Sequence, residues 1–179
     1  MEKLTVDEYF GQPETMRPME LVYGVVREPP SPLYGHQSIV TRLTVLLATH
    51  VEERGLGRVC VSPMDVVLDE PAALVVQPDI IFVATERLDI IRDRIWGPPD
   101  LVVEVLSPRT AVRDRTMKLE WYRQYGVREC WLVDPGRRLV LVVNLKLRGR
   151  SAFHHCRGDD PIRSTVLPEF HRPAAAFFG

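Results

Sequence analysis

The chain has 179 residues, of which 45% are hydrophobic and 26% are charged, and its formal net charge is −1 at pH 7. This length predicts a single domain over residues 1–179 that buries about two thirds or more of its unfolded surface. The net charge excludes a globally basic nucleic-acid binder but leaves room for a local basic surface. No segment approaches the roughly 18 consecutive apolar residues of a membrane span. Because the acidic N-terminus also lacks the apolar core of a secretion signal, we expect a cytoplasmic protein with no membrane association.

The hydrophobic pattern along the chain predicts an α/β fold with a central mixed β-sheet flanked by helices. Helices are predicted over residues 5–10, 39–51 and 111–125, with a helical turn at 86–93. Strands are predicted over residues 20–27, 58–62, 65–68, 75–83, 101–106, 130–133, 139–143 and 150–156, with a terminal return at 164–170. The clustered prolines at 29, 30 and 32 predict a loop, because proline lacks the N–H that a helix or a ladder requires.

Glu104 interrupts the run LVVEVL at residues 101–106, which otherwise resembles a strand buried on both faces. A buried carboxylate needs protonation, a cationic partner or a metal ion, so this position is a functional candidate. Alternation along the strand places Glu104 on one face with Val102 and Leu106. The alternative is a protonated or ion-paired core acid.

Two Pro-Asp pairs, at residues 78–79 and 99–100, offer a second acid. Asp100 lies four residues before Glu104 on the same strand, about 13 Å away at roughly 3.3 Å per residue. That separation is too large for one ion with oxygen ligands at about 2.0–2.6 Å. Asp79 lies on a different predicted strand, so strand pairing can bring it alongside Glu104. The alternative for Asp79 is a turn or cap residue.

Lys118 stands in a predicted helix of a chain whose cations are otherwise almost all arginine. Only Lys3, Lys118 and Lys146 are lysines among the 23 basic residues. A lysine here suggests a need for a compact ammonium that can donate to a water or a phosphate oxygen. The alternative is a solvated Asp114/Lys118 pair at i,i+4. Two carboxylates that bind Mg²⁺ or Mn²⁺, with an ammonium beside them, are suited to phosphodiester hydrolysis.

Several segments, in the same order along the chain, resemble the Uma family of restriction-endonuclease-like proteins, a branch of the PD-(D/E)XK nuclease superfamily. The matching residues are 19–24 (MELVYG), 35–37 (GHQ), 77–80 (QPDI), 98–108 (PPDLVVEVLSP), 113–115 (RDR) with Lys118, 122–126 (YRQYG) and 131–135 (WLVDP). The resemblance implies a restriction-endonuclease-like fold with Asp79 and Glu104 as metal ligands, assisted by a main-chain carbonyl near Val105. The lysine of the superfamily pattern, two residues after the glutamate, is Leu106 here, and Lys118 is its expected replacement.

Five further residues are candidates for supporting the site or contacting the substrate. Glu20 matches the early acid of the family, and His36 could contact a phosphate or orient a water, although it could also be a structural histidine. Asp114 could hold Lys118 by i,i+4 pairing, and Tyr122 lies on the same helix face, where an aromatic is also typical of a core. Arg113 belongs to a basic segment suited to backbone phosphates, with a solvated charged face as the alternative.

The sequence therefore predicts a metal-dependent endonuclease that hydrolyses DNA phosphodiester bonds, with Asp79, Glu104 and Lys118 as catalytic residues. A homodimer is expected because cutting both strands needs two sites. One alternative is a non-catalytic nucleic-acid-binding or interaction module that retains the nuclease fold. Another is a metal-dependent hydrolase of a different phosphate ester.

Overall fold

The structure, a computed structural model, describes residues 3–13, 17–107 and 112–179, excluding the side chains of residues 112–115 and 151. Within these ranges the α-helices are α1 (Val6–Phe10), α2 (Tyr34–Glu53) and α3 (Val112–Tyr125), and short 3₁₀ helices cover Thr85–Ile90, Arg150–Ala152 and Ala174–Phe177. The strands are β1 (Glu20–Val22), β2 (Val25–Arg27), β3 (Gly57–Val61), β4 (Val66–Asp69), β5 (Leu74–Val76), β6 (Ile80–Ala84), β7 (Ile95–Trp96), β8 (Leu101–Val105), β9 (Glu129–Asp134), β10 (Leu139–Asn144), β11 (Phe153–Cys156), β12 (Pro161–Arg163) and β13 (His171–Pro173). The predicted α/β class is confirmed.

Two mixed sheets make up most of the fold. The larger sheet has the strand order β11-β10-β9-β8-β6-β3, and its β8 and β9 run parallel while the other neighbours are antiparallel. The second sheet has the order β2-β1-β5-β4-β7. Helix α3 connects the parallel strands β8 and β9, as a parallel pair requires a crossover. This connection places the residues of α3 against the sheet that carries Glu104.

The six-stranded sheet is buried on both faces, which explains its nearly continuous apolar strands. One face packs on α2 and the C-terminal segment through residues such as Ile80, Phe82 and Val103. The opposite face packs on α3 and the five-stranded sheet through residues such as Ile81 and Val102. Glu104 shares this second face with Val102, as alternation predicts.

The predicted strand over residues 75–83 is wrong as a single element. The structure divides it into β5 and β6, which belong to different sheets. Pro78 lies at the division and has no N–H to donate, so it fits between two strands better than within one. The break leaves Asp79 at the point where the chain passes from one sheet to the other.

Most other predicted elements are present with shifted boundaries. The strand or hairpin arm predicted over residues 20–27 is the hairpin β1–β2, and residues 150–152 form a 3₁₀ helix ahead of β11. Helix α1 begins with a reciprocal Thr5–Glu8 capping box. Helix α2 begins at Tyr34, five residues before the first predicted apolar position. The pattern gave no sign of β7 or of the β12–β13 pair, which are only two and three residues long. No helix among the described residues has the length and apolar character that crossing a membrane requires.

Candidate functional site

Asp79, Glu104 and Lys118 all line one cavity of about 630 Å³. The antiparallel pairing of β6 with β8, in which Ile80 lies opposite Val103, brings the start of β6 beside the end of β8. Asp79 immediately precedes β6, so this register places it next to Glu104. Helix α3 contributes Lys118 from the crossover that follows β8. The fold therefore brings together the three residues predicted to be catalytic.

Asp79 is held by a backbone amide and faces a histidine. Its Oδ2 accepts a hydrogen bond from the Val105 N–H at 2.7 Å and lies 3.2 Å from His36 Nε2. The hydrogen bond to Asp79 is the main reason that the pKa of His36 is raised, and the main-chain carbonyl of Val105 contributes in the same direction. The Val105 carbonyl, named through the family resemblance, therefore lies beside His36, while the Val105 amide fixes Asp79.

Glu104 is engaged by two side chains of α3. Its Oε1 and Oε2 lie 3.2 and 3.4 Å from Lys118 Nζ, and Tyr122 donates a short hydrogen bond to Oε1. Burial raises the pKa of Glu104 to about 7, against the opposing effect of Lys118, and the nearby Asp79 and Glu20 add to the rise. Burial therefore disfavours the charged form of this carboxyl, while Lys118 favours it.

Lys118 bridges two acids instead of lying in solvent. Its Nζ is 2.9 Å from Glu20 Oε1 in addition to its contacts with Glu104, and the side chain is 18% exposed. Burial alone would lower the pKa of Lys118, but Glu104 and Glu20 together raise it, so the ammonium stays charged. The solvated-surface alternative for Lys118 does not fit these contacts. The side chain of its predicted partner Asp114 lies outside the described residues.

Polar contacts link Glu20, the first residue of β1, to Asp65 through a residue to which sequence reasoning assigned no role. Gln77 donates its backbone N–H to Glu20 Oε1 at 3.1 Å and its side-chain Nε2 to Asp65 Oδ1 at 2.9 Å. Gln77 Oε1 is buried and has no hydrogen-bond partner among the described residues. Its place directly before Pro78-Asp79 in the family-like segment was the one available signal.

The structure places Tyr122 in the site, whereas the predicted basic segment contributes no described contact there. Tyr122 is fully buried in the apolar core and also contacts Glu104, so both interpretations of it hold in part. Burial and the nearby Glu104 raise its pKa well above the ordinary value, so Tyr122 stays a neutral donor. The side chain of Arg113 lies outside the described residues. Arg128, from the same basic segment, is 2.9 Å from the buried Asp100 and acts there as a structural partner.

The donor chemistry of the cavity fits a hard divalent cation. Carboxylate oxygens of Asp79 and Glu104 are the ligands that Mg²⁺ and Mn²⁺ prefer, and Mg²⁺ commonly takes one or two carboxylates with waters and substrate oxygens. Among the described residues, no three His, Cys, Asp or Glu side chains form a group that could hold a metal ion. The arrangement therefore fits an open site with two carboxylates and does not fit a closed protein cage.

Comparison with known families accounts for nearly all of this chain. A family model described as "Putative restriction endonuclease", named Uma2, matches residues 6–175. The chain belongs to the Uma2 family. This membership confirms the predicted resemblance and supports a nuclease-like function.

A solved structure shows the same fold as this Uma2 protein. A crystal structure described as "a putative nuclease belonging to DUF820 from Anabaena variabilis ATCC 29413" superimposes with a TM-score of 0.82 at 20% identity, covering 98% of this chain and 97% of that one. The likeness confirms the restriction-endonuclease-like fold expected from the sequence. No curated protein matches the chain.

Proposed function

We propose that this Uma2 protein is a metal-dependent endonuclease that hydrolyses DNA phosphodiester bonds. The observation that carries the proposal is the meeting of Asp79, Glu104 and Lys118, from three different elements, inside one cavity. Perturbed ionisable groups gathered in a cleft are typical of catalytic sites. Family membership supports a nuclease-like function, and the donor set supports the choice of Mg²⁺ or Mn²⁺.

Asp79 and Glu104 would hold the cation, with Glu20 close enough to Lys118 to influence the same region. A divalent cation bound there supplies polarisation of a phosphoryl oxygen and lowers the pKa of a water molecule. The Val105 amide keeps one oxygen of Asp79 fixed, which leaves its other oxygen available to the cavity. Carboxylate orientation is thus set by the backbone before any ligand arrives.

Lys118 can donate to a phosphate oxygen or to the attacking water, because an ammonium carries three donors on a flexible stem. Glu20 and Glu104 hold this ammonium at 2.9 and 3.2 Å. The two acids keep Lys118 charged and restrict where its Nζ can lie. A positioned positive charge stabilises the negative charge that develops on the phosphoryl group during hydrolysis.

The decisive experiment measures Mn²⁺ binding by calorimetry and plasmid cleavage on the same samples of wild type, Asp79→Ala, Glu104→Ala and Lys118→Ala. The proposal expects both acid variants to lose Mn²⁺ binding and cleavage. It expects the lysine variant to lose cleavage while keeping much of its Mn²⁺ binding. Exposed acid and lysine positions, Glu52→Ala and Lys146→Ala, serve as matched controls that should behave as wild type.

One observation favours the alternative that the chain keeps the nuclease fold but only binds nucleic acid. Glu104 already has Lys118 and Tyr122 as partners, so the cluster could be satisfied as a structural ion pair. This alternative predicts salt-dependent DNA retention with no cleavage, unchanged in Asp79→Ala. Wild-type protein that binds no divalent ion and cuts no plasmid would establish it.

Two parts of the proposal are independent of the site geometry. Homodimer formation and a cytoplasmic location stay predictions, the first testable by light scattering with and without DNA.

A hydrolase of other phosphate esters is separated from the proposed nuclease by comparing small phosphodiesters with plasmid as substrates. Faster turnover of the small esters would favour that reading.

A further inference from the structure

The carboxylates of the site lie in a cavity whose walls are largely apolar. The cavity includes many apolar side chains, among them Pro30, Pro32, Leu33, Val40, Leu106 and Met117. The catalytic candidates lie recessed among them, with side chains 18% exposed at Asp79 and 14% exposed at Glu104. A phosphodiester must therefore enter the cavity to reach these carboxylates, and whatever flanks it must contact apolar walls.

The described side chains that line the cavity carry few of the positive charges that bind a double helix. Proteins that bind duplex DNA neutralise several phosphates with lysine and arginine. Among the described residues that line the cavity, the arginine is Arg27 and the lysine is Lys118. Lys118 is already held by two carboxylates. Glu28 adds a further acid to the lining. Among the described lining residues, a ligand therefore meets more apolar than cationic side chains.

The cavity is of a size that accepts part of one strand. Pockets of about 300–1,000 Å³ typically enclose a small molecule, and 630 Å³ falls in that range. An unpaired nucleotide has a planar base with two faces to bury, and enzymes that take up such bases place them between aromatic or apolar side chains. Proline and leucine walls beside recessed carboxylates provide that combination.

An exposed aromatic residue directly follows a cavity-lining residue in the sequence. Leu33, which lines the cavity, is 54% exposed, and the next residue, Tyr34, is 88% exposed, the highest value among the large hydrophobic side chains of the described residues. Exposed aromatic rings near a channel are the usual platforms on which bases of a single strand stack. Tyr34 has no role in the apolar core that would explain its presence there.

We propose that the cavity takes an unpaired nucleotide of a nucleic-acid strand, with its base against the Pro30–Leu33 wall and the neighbouring base stacked on Tyr34. This inference rests on the proposed function and specifies its substrate as single-stranded segments, flaps or overhangs in place of uninterrupted duplex. The cavity beside the carboxylates then selects strand state before any chemistry occurs.

The test measures binding and cleavage separately. Binding of a fluorescein-labelled oligothymidylate, and of the same strand in a blunt duplex, is followed by anisotropy with Ca²⁺ as the divalent ion. Cleavage of both is followed with Mn²⁺. An oligouridylate arm distinguishes DNA from RNA as the source of the unpaired strand. We expect the single strand to bind more tightly than the duplex and to be cut faster.

Paired variants link the preference to the proposed surface. Leu33→Ser with Tyr34→Ser should raise the Kd for the single strand about 5- to 150-fold, as expected for about 1–3 kcal/mol of stacking per base, and should leave the duplex unchanged. Val45→Ser is the control, because Val45 is 60% exposed on the same helix and lies about 16 Å further along its axis at ~1.5 Å per residue. Both positions are exposed, so the variants should fold, and Tyr34→Ser alone provides a milder change.

Three results would overturn the inference. Equal binding and cutting of duplex and single strand would do so while leaving the proposed nuclease function intact. An equal loss in Val45→Ser would remove the role of the Leu33–Tyr34 surface. Binding of neither nucleic acid would exclude the inferred substrate, and if plasmid cleavage were also absent the proposed function would fall with it.

Discussion

Asp100 directly precedes β8 and Glu104 lies near the end of that strand, and their surroundings shift their pKa values in opposite directions. Asp100 is fully buried, yet its carboxylate accepts from the Ala84 N–H at 2.8 Å, Arg128 at 2.9 Å and Arg87 at 3.2 Å. Burial favours its neutral form, but these donors outweigh burial and lower the pKa of Asp100. At Glu104 burial prevails, and the pKa rises to about 7.

The difference is consistent with a structural role for Asp100 and with the role proposed for Glu104 as a metal ligand. A buried carboxylate with a full set of hydrogen-bond donors stabilises the native fold. A buried carboxylate whose charged form is disfavoured is stabilised when a cation binds to it. The nearby Asp79 and Glu20 raise the pKa of Glu104 further, whereas Arg128 and Arg87 lower the pKa of Asp100. A structural acid therefore lies directly before β8, and the proposed metal ligand lies near the end of that strand.

The largest expected effect is on stability at Asp100. Asp100→Ala should lower the free energy of unfolding by about 3–5 kcal/mol, because it leaves two arginines and a buried amide without their partner. Urea unfolding measures this loss. The exposed Asp159→Ala is the control and should change stability by less than about 0.5 kcal/mol. A comparable small change at Asp100 would contradict its structural role.

The stabilisation by Asp100 should disappear in acid. Because its folded pKa lies below the ordinary value of 3.8, the contribution is complete above that pH and is lost as the pH falls through the folded pKa. Wild type and Asp100→Ala should thus differ most near neutral pH and converge in strong acid. Unfolding curves at several pH values test this, and a difference that persists in strong acid would point to lost packing instead of lost charge.

Next in size is the response to a divalent ion. Mn²⁺ at about a hundred times its Kd should raise the free energy of unfolding of wild type by about 2.7 kcal/mol. Asp79→Asn and Glu104→Gln should abolish this gain, whereas Asp159→Ala should retain it. Thermal unfolding with and without Mn²⁺ makes the comparison. A gain retained by both site variants would show that the ion binds elsewhere.

A smaller effect is expected at Glu20. Glu20→Gln keeps the size of the side chain but removes one of the two charges that hold Lys118. We expect the plasmid cleavage rate to fall about 10- to 100-fold, the usual range for residues that orient a catalytic group. Glu52→Gln on the exposed face of α2 is the control. An unchanged rate would mean that Glu104 alone is enough to position Lys118.

The smallest effect sharpens the contrast directly. Glu104→Gln in the absence of divalent ions should change the free energy of unfolding at pH 8 by no more than about 1 kcal/mol, or should increase it. The variant removes a carboxylate whose charged form burial disfavours, and Glu20 still pairs with Lys118. Comparison with Asp100→Ala under the same conditions gives the measure. A loss as large as that of Asp100→Ala would make Glu104 a second structural acid.

The sequence alone identified the two acids of the site, but it did not identify their partners. The interruption of an apolar strand indicated Glu104, and the Pro-Asp pair before a second apolar run indicated Asp79. Local patterns carry such information because alternation and proline chemistry act over a few residues. They also distinguished Asp100 from Asp79 by distance along the strand.

The partners of each acid were not accessible in the same way. Gln77 contacts Glu20 across 57 residues, and Arg128 reaches Asp100 across 28. These contacts depend on which strands become neighbours, and a single sequence does not encode strand order as a local signal. The family resemblance predicted the fold. The contacts of Gln77 and the apolar lining of the cavity became apparent only in the structure.

The passage from β5 to β6 through Gln77, Pro78 and Asp79 has a consequence for how the chain can vary over evolution. Side chains on a strand alternate between faces, so inserting or deleting one residue after Pro78 would turn Asp79 away from Glu104 or shift the strand that follows. The Pro29–Pro32 loop has no such restriction on its length. Homologues should therefore differ in length at that loop, and with it in the shape of the cavity, while the spacing around Pro78 stays invariant.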